Sequence, residues 1–250
     1  MVKHIYLLSI FLLFSFPTQS TELIETLKKI KPSVVAIGIS NPTASPRIRL
    51  IGSGFVVSPG NRVVTNYHVV AAPLDESLLE QYVVLSGQGT VFKVHPVQKQ
   101  RNKPAFDLAL LTIAERLPAL SVSSEPMLAE GSSIAFTGFP ITQVLGLYPA
   151  THSGIIAAQT PIAIPAVNAR ELQAAMLRQL DKPYLVYQLD AVAYPGNSGS
   201  PLYRPDNGEV IGIINQVYIK SSREAVLSDP SGISYAIPSR HLLDLMQQPD

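Results

Sequence analysis

The chain of 250 residues contains no cysteine. Disulfide bonds, thiolate zinc sites, cysteine nucleophiles and iron–sulfur clusters are therefore excluded. Charged residues make up only 15% of the chain, below the roughly 25% typical of soluble proteins, whereas 46% are hydrophobic. A disordered chain has low hydrophobicity and a high net charge, so this composition excludes one. The formal net charge is +1, so a nucleic-acid partner held by phosphate contacts is not expected.

The long apolar run near the start of the chain is too short to span a membrane. Residues 5–16 (IYLLSIFLLFSF) follow Lys3 and His4 and end at Pro17. As a helix this run extends about 18 Å, short of the ~30 Å hydrocarbon core. The layout is typical of a secretory signal peptide. We therefore expect residues 1–20 to be removed after about Ser20, leaving an exported protein, periplasmic or secreted, with no stable membrane insertion.

The distribution of turn-forming residues favours an all-β fold. The chain has 21 prolines and 15 glycines, which indicate many turns. Short β-type runs between turn signals favour a sandwich or barrels over alternating strands and helices. Amphipathic segments predict helices at 21–30, near 168–181 and at 239–247. Strands are predicted at 33–39, 51–57, 62–65, 82–85, 91–94 and 108–113, and then at 133–137, 153–157, 184–189, 201–203, 210–218 and 234–236.

Three short segments carry residues suited to nucleophilic catalysis. Segment 196–201 (GNSGSP) places Ser198 on a tight turn, where the N–H groups of Gly196 and Ser198 could converge as an oxyanion hole. Taken alone, the segment also fits an ordinary Gly/Ser-rich turn. His68 closes the run 65–70 (TNYHVV), and Asp107 heads the run 106–111 (FDLALL). Each has a simpler alternative, as a packed histidine or a capping aspartate.

Together the three residues fit one chemistry. A serine hydroxyl needs an adjacent base, a histidine can take and return its proton near pH 7, and a carboxylate fixes the imidazole tautomer. The chain order His68, Asp107, Ser198 is that of chymotrypsin-type double barrels. It differs from the order in subtilisins and in α/β-hydrolases. The all-β pattern agrees with the first class.

Five motifs in the same order resemble the trypsin-like serine peptidases of the bacterial HtrA/Deg type. This resemblance implies two six-stranded antiparallel β-barrels. Residues 21–120 contain the N-terminal helix and the first barrel, and residues 121–250 contain the second barrel with the helical insertion and the C-terminal helix. It also implies that His68 is the general base, Asp107 its orienting acid and Ser198 the nucleophile. The motifs are 30–35 (IKPSVV), 52–57 (GSGFVV) with 64–70 (VTNYHVV), 107–111 (DLALL), 190–200 (DAVAYPGNSGS) and 232–238 (GISYAIP).

The resemblance also sets expectations about substrates and partners. The family acts on proteins or peptides and is commonly oligomeric, so a homo-oligomer is possible. Family members usually carry a PDZ domain after the protease, and the chain ends soon after its last strand motif, so regulation by such a domain is not expected. No cofactor is expected, and His95, His152 and His241 lack metal-ligand spacing, which argues against a metal site.

The expected specificity pocket contains Val192, Asn215, Val217 and Gly232. Val192 stands where a trypsin carries its buried aspartate, so a substrate lysine or arginine would be buried without a partner charge. We therefore expect cleavage after small or medium aliphatic residues. Two alternatives remain open: a catalytically silent peptide-binding module on the same fold, and an esterase or acyl transferase with the same acyl-enzyme chemistry.

Overall fold

The computed structural model describes residues 19–141, 145–162, 184–215 and 233–248. Within these ranges the chain forms thirteen strands and two α-helices, α1 (Gln19–Ile30) and α2 (Arg240–Gln247). The strands are β1 (Val34–Ser40), β2 (Ile48–Val57), β3 (Arg62–Asn66), β4 (Gln81–Gln88), β5 (Val91–Pro96), β6 (Lys99–Lys103), β7 (Leu108–Thr112), β8 (Ser133–Gly138), β9 (Ala150–Pro161), β10 (Leu185–Asp190), β11 (Pro201–Tyr203), β12 (Val210–Asn215) and β13 (Ile233–Pro238).

The second half of the chain forms a closed barrel in the order β10-β13-β12-β11-β8-β9. All of its strand pairs are antiparallel. A six-stranded antiparallel barrel was expected here, and the prediction is confirmed. The predicted helical insertion near 168–181 lies outside the described residues.

The first half differs from the expected six-stranded barrel. Its seven strands form one sheet in the order β5-β4-β1-β2-β3-β7-β6, which is not closed. The reason is an interruption between β5 and β6. The N–H of Val97 donates to Tyr82 O of β4, whereas the N–H of Gln98 donates to Thr112 O of β7. Val97 and Gln98, which are consecutive, therefore bond to β4 and β7, near opposite edges of the sheet. For this reason β5 and β6 are two strands instead of one continuous strand.

Among the described residues the core forms three clusters, and neighbouring residues of one strand belong to different clusters. Phe55 packs in the cluster that also holds residues of the barrel and of α2, whereas Val56 packs inside the seven-stranded sheet. Leu108 and Ala109 divide in the same way. Because side chains of a strand alternate between faces, strands buried on both faces read as unbroken apolar runs. The third cluster fills the barrel.

The two helices lie at the ends of the described chain, close to the predicted bounds. In α1, Ile30 is buried but Ile24 is exposed. α2 contributes Leu242 and Leu245 to the core cluster shared with the seven-stranded sheet. Among the described residues no helix is both long enough and apolar enough to cross a bilayer.

Candidate active site

The pairing of β3 with β7 brings His68 and Asp107 together. Asn66, the last residue of β3, pairs with Leu108, the first residue of β7. His68 then lies on the 3-10 turn Tyr67–Val70. Asp107 adopts a left-handed backbone with φ +49°, and its carbonyl accepts from the N–H of Tyr67 at 3.0 Å and from the Asn66 side-chain amide at 3.1 Å.

The carboxylate of Asp107 holds His68 at two points. The backbone N–H of His68 donates to Oδ1 at 2.8 Å, and its ring Nδ1 lies 2.6 Å from Oδ2. An ionised carboxylate can only accept hydrogen bonds, so the proton of the neutral ring is on Nδ1. The opposite ring nitrogen, Nε2, is then left as an acceptor. The His68 side chain is 46% exposed, so this nitrogen can meet a ligand.

The backbone of Ser198 approaches the turn that carries His68, across Gly52. The carbonyl of Ser198 accepts from the N–H of Ser53 at 2.9 Å. A Cβ built on Gly52 would lie 2.8 Å from Val69 Cγ1 and 3.4 Å from Ser198 O. Val69, which follows His68, and the backbone of Ser198 therefore both pack against Gly52, which has no side chain. No hydrogen bond between Ser198 Oγ and His68 occurs among the described residues. Such bonds are often long before a substrate binds.

In the serine loop, residues 194–200, the backbone N–H groups of Gly196 and Ser198 have no acceptor within the described part of the chain. Gly196 has φ +99°, in the region that favours glycine. The carbonyl of Pro195 accepts from the N–H of Ile141 at 2.7 Å. Because carbonyl and N–H of a trans peptide point in opposite directions, the N–H of Gly196 is directed away from Ile141.

The expected pocket residues are only partly covered by the structure. Val192 is half-buried and precedes the serine loop. Asn215 is buried at the end of β12, whose Ile214 bonds to Ser200 and Gly199 of the serine loop. Val217 and Gly232 lie outside the described residues.

A second Ser–His–acid cluster lies in the seven-stranded sheet. The hydroxyl of Ser86 on β4 lies 2.8 Å from Nε2 of His95 on β5, and Nδ1 of His95 lies 3.3 Å from Glu115 Oε2. Burial lowers the pKa of His95 from its usual 6.5, and the Glu115 carboxylate opposes the shift. His95 is a buried residue of β5, one position beyond the strand predicted at 91–94. No local motif marks the cluster.

Sequence reasoning also missed the contacts of Ser53 and Ile141 with the serine loop. Ser53 lies in the quoted motif 52–57, but the motif gave no reason to single it out. Its hydroxyl donates to Gly196 O at 2.6 Å and accepts from the N–H of Phe139 at 2.8 Å. Ile141 acts through its backbone, which has φ +43°, an uncommon conformation for a β-branched residue.

The chain is similar in sequence to proteins that are named serine proteases. The chain is 30% identical over 201 residues to a probable periplasmic serine endoprotease DegP-like of Halomonas elongata, covering 80% of this chain and 35% of that relative. It is 29% identical over 227 residues to serine protease HTRA3 of Rattus norvegicus, covering 90% of this chain and 43% of the relative. The chain thus spans less than half the length of these two relatives.

Solved structures and a family model complete the comparison. The Rv3671c protease from M. tuberculosis in its active form has the same fold, with a TM-score of 0.65 at 22% identity, over 98% of this chain and 97% of that protein. The model of the trypsin-like peptidase domain matches residues 52–213. This match covers more than half of the sequence, including His68, Asp107 and Ser198. The chain therefore belongs to the family of trypsin-like peptidase domains, and its matched relatives are of the HtrA and DegP type.

Proposed function

We propose that the chain is a serine endopeptidase in which His68 is the general base, Asp107 its orienting acid and Ser198 the nucleophile. The observation that carries this proposal is the double contact of Asp107 with His68, at 2.8 Å to the backbone N–H and 2.6 Å to Nδ1. This contact sets both the tautomer and the orientation of the ring, and it leaves Nε2 to accept a proton.

The reaction follows from these roles. Ser198 Oγ attacks the peptide carbonyl carbon while its proton passes to Nε2 of His68. The N–H groups of Gly196 and Ser198 donate to the carbonyl oxygen as it becomes negatively charged. His68 then gives the proton to the leaving amine, the C–N bond breaks, and an acyl-enzyme ester remains. Water attacks the ester with His68 again as base, which releases the acid and restores the Ser198 hydroxyl.

The relatives support two parts of the proposal: the class of substrate and the export of the protein from the cytoplasm. Those matched are named serine proteases, and several are named periplasmic endoproteases. We infer that the substrates are proteins or peptides and that the protein is exported. We further propose that residues 1–20 are its signal peptide, and that 21–120 and 121–250 are its two halves. A homo-oligomer remains part of the proposal.

The proposed specificity follows from the residues before the serine loop. Val192 contributes no charge, and Asn215 is buried beside the loop. Burying an unpaired substrate lysine or arginine costs several kcal/mol, so we propose a preference for small or medium aliphatic residues before the cleaved bond. Profiling with a peptide library tests this proposal. Strict cleavage after lysine or arginine would contradict it.

The test of function compares two Ser–His pairs in one protein. Ser198→Ala and His68→Ala should each lower kcat/KM for peptide hydrolysis by about 10⁴-fold or more. Ser86→Ala and His95→Ala make the same changes at a second Ser–His pair, which is hydrogen-bonded and lies outside the candidate site. These variants should leave hydrolysis unchanged wherever they are folded. Peptide binding without cleavage by the wild type would favour the silent binding module. Cleavage of simple esters alone would favour the esterase.

A further inference from the structure

The backbone of the serine loop is fixed at every carbonyl from residue 194 to residue 198. Each of these five consecutive carbonyls accepts one hydrogen bond from a described residue. The bonds are Asn197 N to Tyr194 O at 2.9 Å, Ile141 N to Pro195 O at 2.7 Å, Ser200 N to Asn197 O at 3.0 Å and Ser53 N to Ser198 O at 2.9 Å, together with Ser53 Oγ to Gly196 O at 2.6 Å.

This pattern determines which N–H groups face a ligand. In a planar trans peptide the N–H points opposite to the carbonyl. The bond to Pro195 O therefore orients the N–H of Gly196, and the bond to Asn197 O orients the N–H of Ser198. Neither N–H has an acceptor within the described ranges. The loop thus presents two oriented donors that need no rearrangement when charge develops on a carbonyl oxygen.

Ser53 makes two of the five bonds, and it belongs to the other half of the molecule. It lies on β2 and is fully buried. Its N–H and its hydroxyl bond to Ser198 O and Gly196 O, on either side of Asn197. Its hydroxyl also accepts from the N–H of Phe139 at 2.8 Å. A single side chain therefore connects β2, the serine loop and the segment that follows β8.

The packing around Ser53 leaves little space for the loop to shift. A Cβ built on Gly199 would lie 2.2 Å from Ser53 O and 2.5 Å from Thr65 Oγ1. A Cβ on Gly138 would lie 2.9 Å from Ser53 Oγ. Two glycines thus allow the loop and the end of β8 to approach Ser53 closely, and φ is +88° at Gly199. The hydroxyl of Ser53 occupies the centre of this contact.

We propose that Ser53 is a positioning residue for the oxyanion hole, and that its hydroxyl holds the Gly196 carbonyl so that the hole is formed before substrate binds. The proposal rests on the proposed function, because it concerns the rate of acyl transfer at Ser198. Ser53 makes no hydrogen bond to His68 or Asp107. Its loss therefore weakens stabilisation of the transition state and leaves the protonation of the base unaltered.

The test is the Ser53→Ala variant, with Ser239→Ala as its matched control. Ser239 is also buried, and its hydroxyl donates to a backbone carbonyl, Ser123 O, at 2.9 Å, away from the serine loop. Ser53→Ala loses the two hydrogen bonds of its buried hydroxyl, and Ser239→Ala loses one hydrogen bond of a buried hydroxyl. We expect Ser53→Ala to lower kcat for a peptide substrate by about 10- to 100-fold, since losing a whole oxyanion donor costs about 10²–10³-fold. KM should stay within about threefold, because ground-state binding is not the property lost.

Three further readouts separate positioning from general loosening of the fold. The shape of the pH profile of kcat/KM should be unchanged in Ser53→Ala, because the Ser53 hydroxyl bonds to Gly196 and Phe139 and not to the His68–Asp107 pair. Affinity for a peptide boronate, whose tetrahedral adduct fills the oxyanion hole, should fall in proportion to kcat/KM. Ser239→Ala should keep kcat within about twofold. Circular dichroism would identify the temperatures at which each variant is folded, and only these would be used.

The outcomes distinguish this proposal from the proposed function. A folded Ser53→Ala protein with wild-type kcat overturns the positioning role, while loss of activity in Ser198→Ala leaves the function intact. An equal loss of kcat in Ser53→Ala and Ser239→Ala also overturns the positioning role. If Ser53→Ala does not fold, Ser53→Cys retains the side-chain volume with a weaker donor, and no native thiol is present to pair with it. An unchanged kcat in folded Ser53→Cys overturns the proposal, and a fall at constant KM supports it.

Discussion

At the scale of single residues, Asp107 is held through both its backbone and its side chain. Its backbone is left-handed, which costs a non-glycine residue about 1–2 kcal/mol. Its carbonyl accepts from Tyr67 and Asn66, and its carboxylate accepts twice from His68. Strained backbone of this kind is found at functional sites, where surrounding contacts fix it. All three oxygen atoms of Asp107 therefore accept hydrogen bonds from residues 66–68, the segment that carries the histidine.

The variant Asp107→Asn tests the orienting role of this carboxylate. An amide group facing His68 can donate to Nδ1, which places the ring proton on Nε2 and removes the base. We expect kcat near neutral pH to fall by about 10⁴-fold, the size known for this change in serine proteases, with KM little altered. Stopped assays with a chromogenic peptide measure this effect.

The matched control at this scale is Glu115→Gln, which makes the same change of acid to amide beside His95, a buried histidine of β5. Hydrolysis should be unaffected, because Glu115 lies outside the candidate site and its side chain is 58% exposed. Full activity in Asp107→Asn would show that the carboxylate does not act through His68.

At the scale of secondary-structure elements, the end of β8 meets the serine loop without a side chain between them. A Cβ built on Gly138 would lie 1.9 Å from Ser200 Oγ and 2.9 Å from Asn197 Oδ1. Both side chains are fully buried. The strand can end here only because residue 138 is a glycine, and the position of the serine loop depends on that close approach.

The variant Gly138→Ala should therefore destabilise the fold by about 1–3 kcal/mol through overpacking and should also lower kcat by displacing the serine loop. Urea unfolding and peptide hydrolysis measure the two effects. The double variant Gly138→Ala/Ser200→Ala removes the nearest overlapping atom and should recover part of both losses, a coupling expected for residues in contact. Strictly additive effects would mean that the two residues do not compete for space.

Element prediction from sequence was accurate where apolar residues carried the pattern. Strands β3, β7 and β11 were found close to their observed bounds, because residues such as Val63 and Leu110 are buried. Strand β6 was missed. Its sequence is KQRNK, and no apolar alternation marks it as a strand, although it pairs with β7 along its whole length.

The sequence indicated the candidate catalytic residues but not the contacts that position the serine loop. His68, Asp107 and Ser198 were proposed from residue type, chain order and motif resemblance, and His68 and Asp107 are in direct contact. The contacts of Ser53 and Ile141 could not be predicted, because they join segments far apart in sequence through hydrogen bonds to backbone carbonyls. Neither the residue types nor their spacing indicates such partners before the fold is known.

At the scale of the whole molecule, an aromatic cluster joins α2 and the start of β10 to the Asp107 turn. The rings of Phe106 and His241 stack at 4.1 Å, and Tyr184 lies 4.8 Å from each. Burial raises the pKa of Tyr184, and the charge of Asp107 raises it further. The barrel and the C-terminal helix therefore pack directly behind the residue next to Asp107.

This cluster makes stability depend on pH. Burial lowers the pKa of His241 from 6.5 to about 4, with Arg240 and Lys103 lowering it further and Asp244 opposing. The unfolded chain therefore binds a proton on this histidine as the pH falls below 6.5, whereas the folded protein does so only near 4. The free energy of unfolding should decrease between pH 6.5 and 4.

Urea unfolding across this pH range, in the wild type and in His241→Phe, measures the contribution. The phenylalanine ring retains the stacking with Phe106 but cannot be protonated, so the decrease should be smaller in the variant. Burial also lowers the pKa of His95 and of His152, and these residues should account for a remaining slope. Equal slopes in the two proteins would show that His241 does not contribute.

Active-site labelling tests the assignment of Ser198 as an activated nucleophile most directly. The protein, expressed with its N-terminal segment and purified after export, would be treated with a fluorophosphonate probe and digested, and the adduct mapped by mass spectrometry. We predict a single adduct on Ser198, lost in His68→Ala and retained in His95→Ala. The absence of any adduct on folded protein, or an adduct on Ser86 instead of Ser198, would contradict the proposed catalytic site.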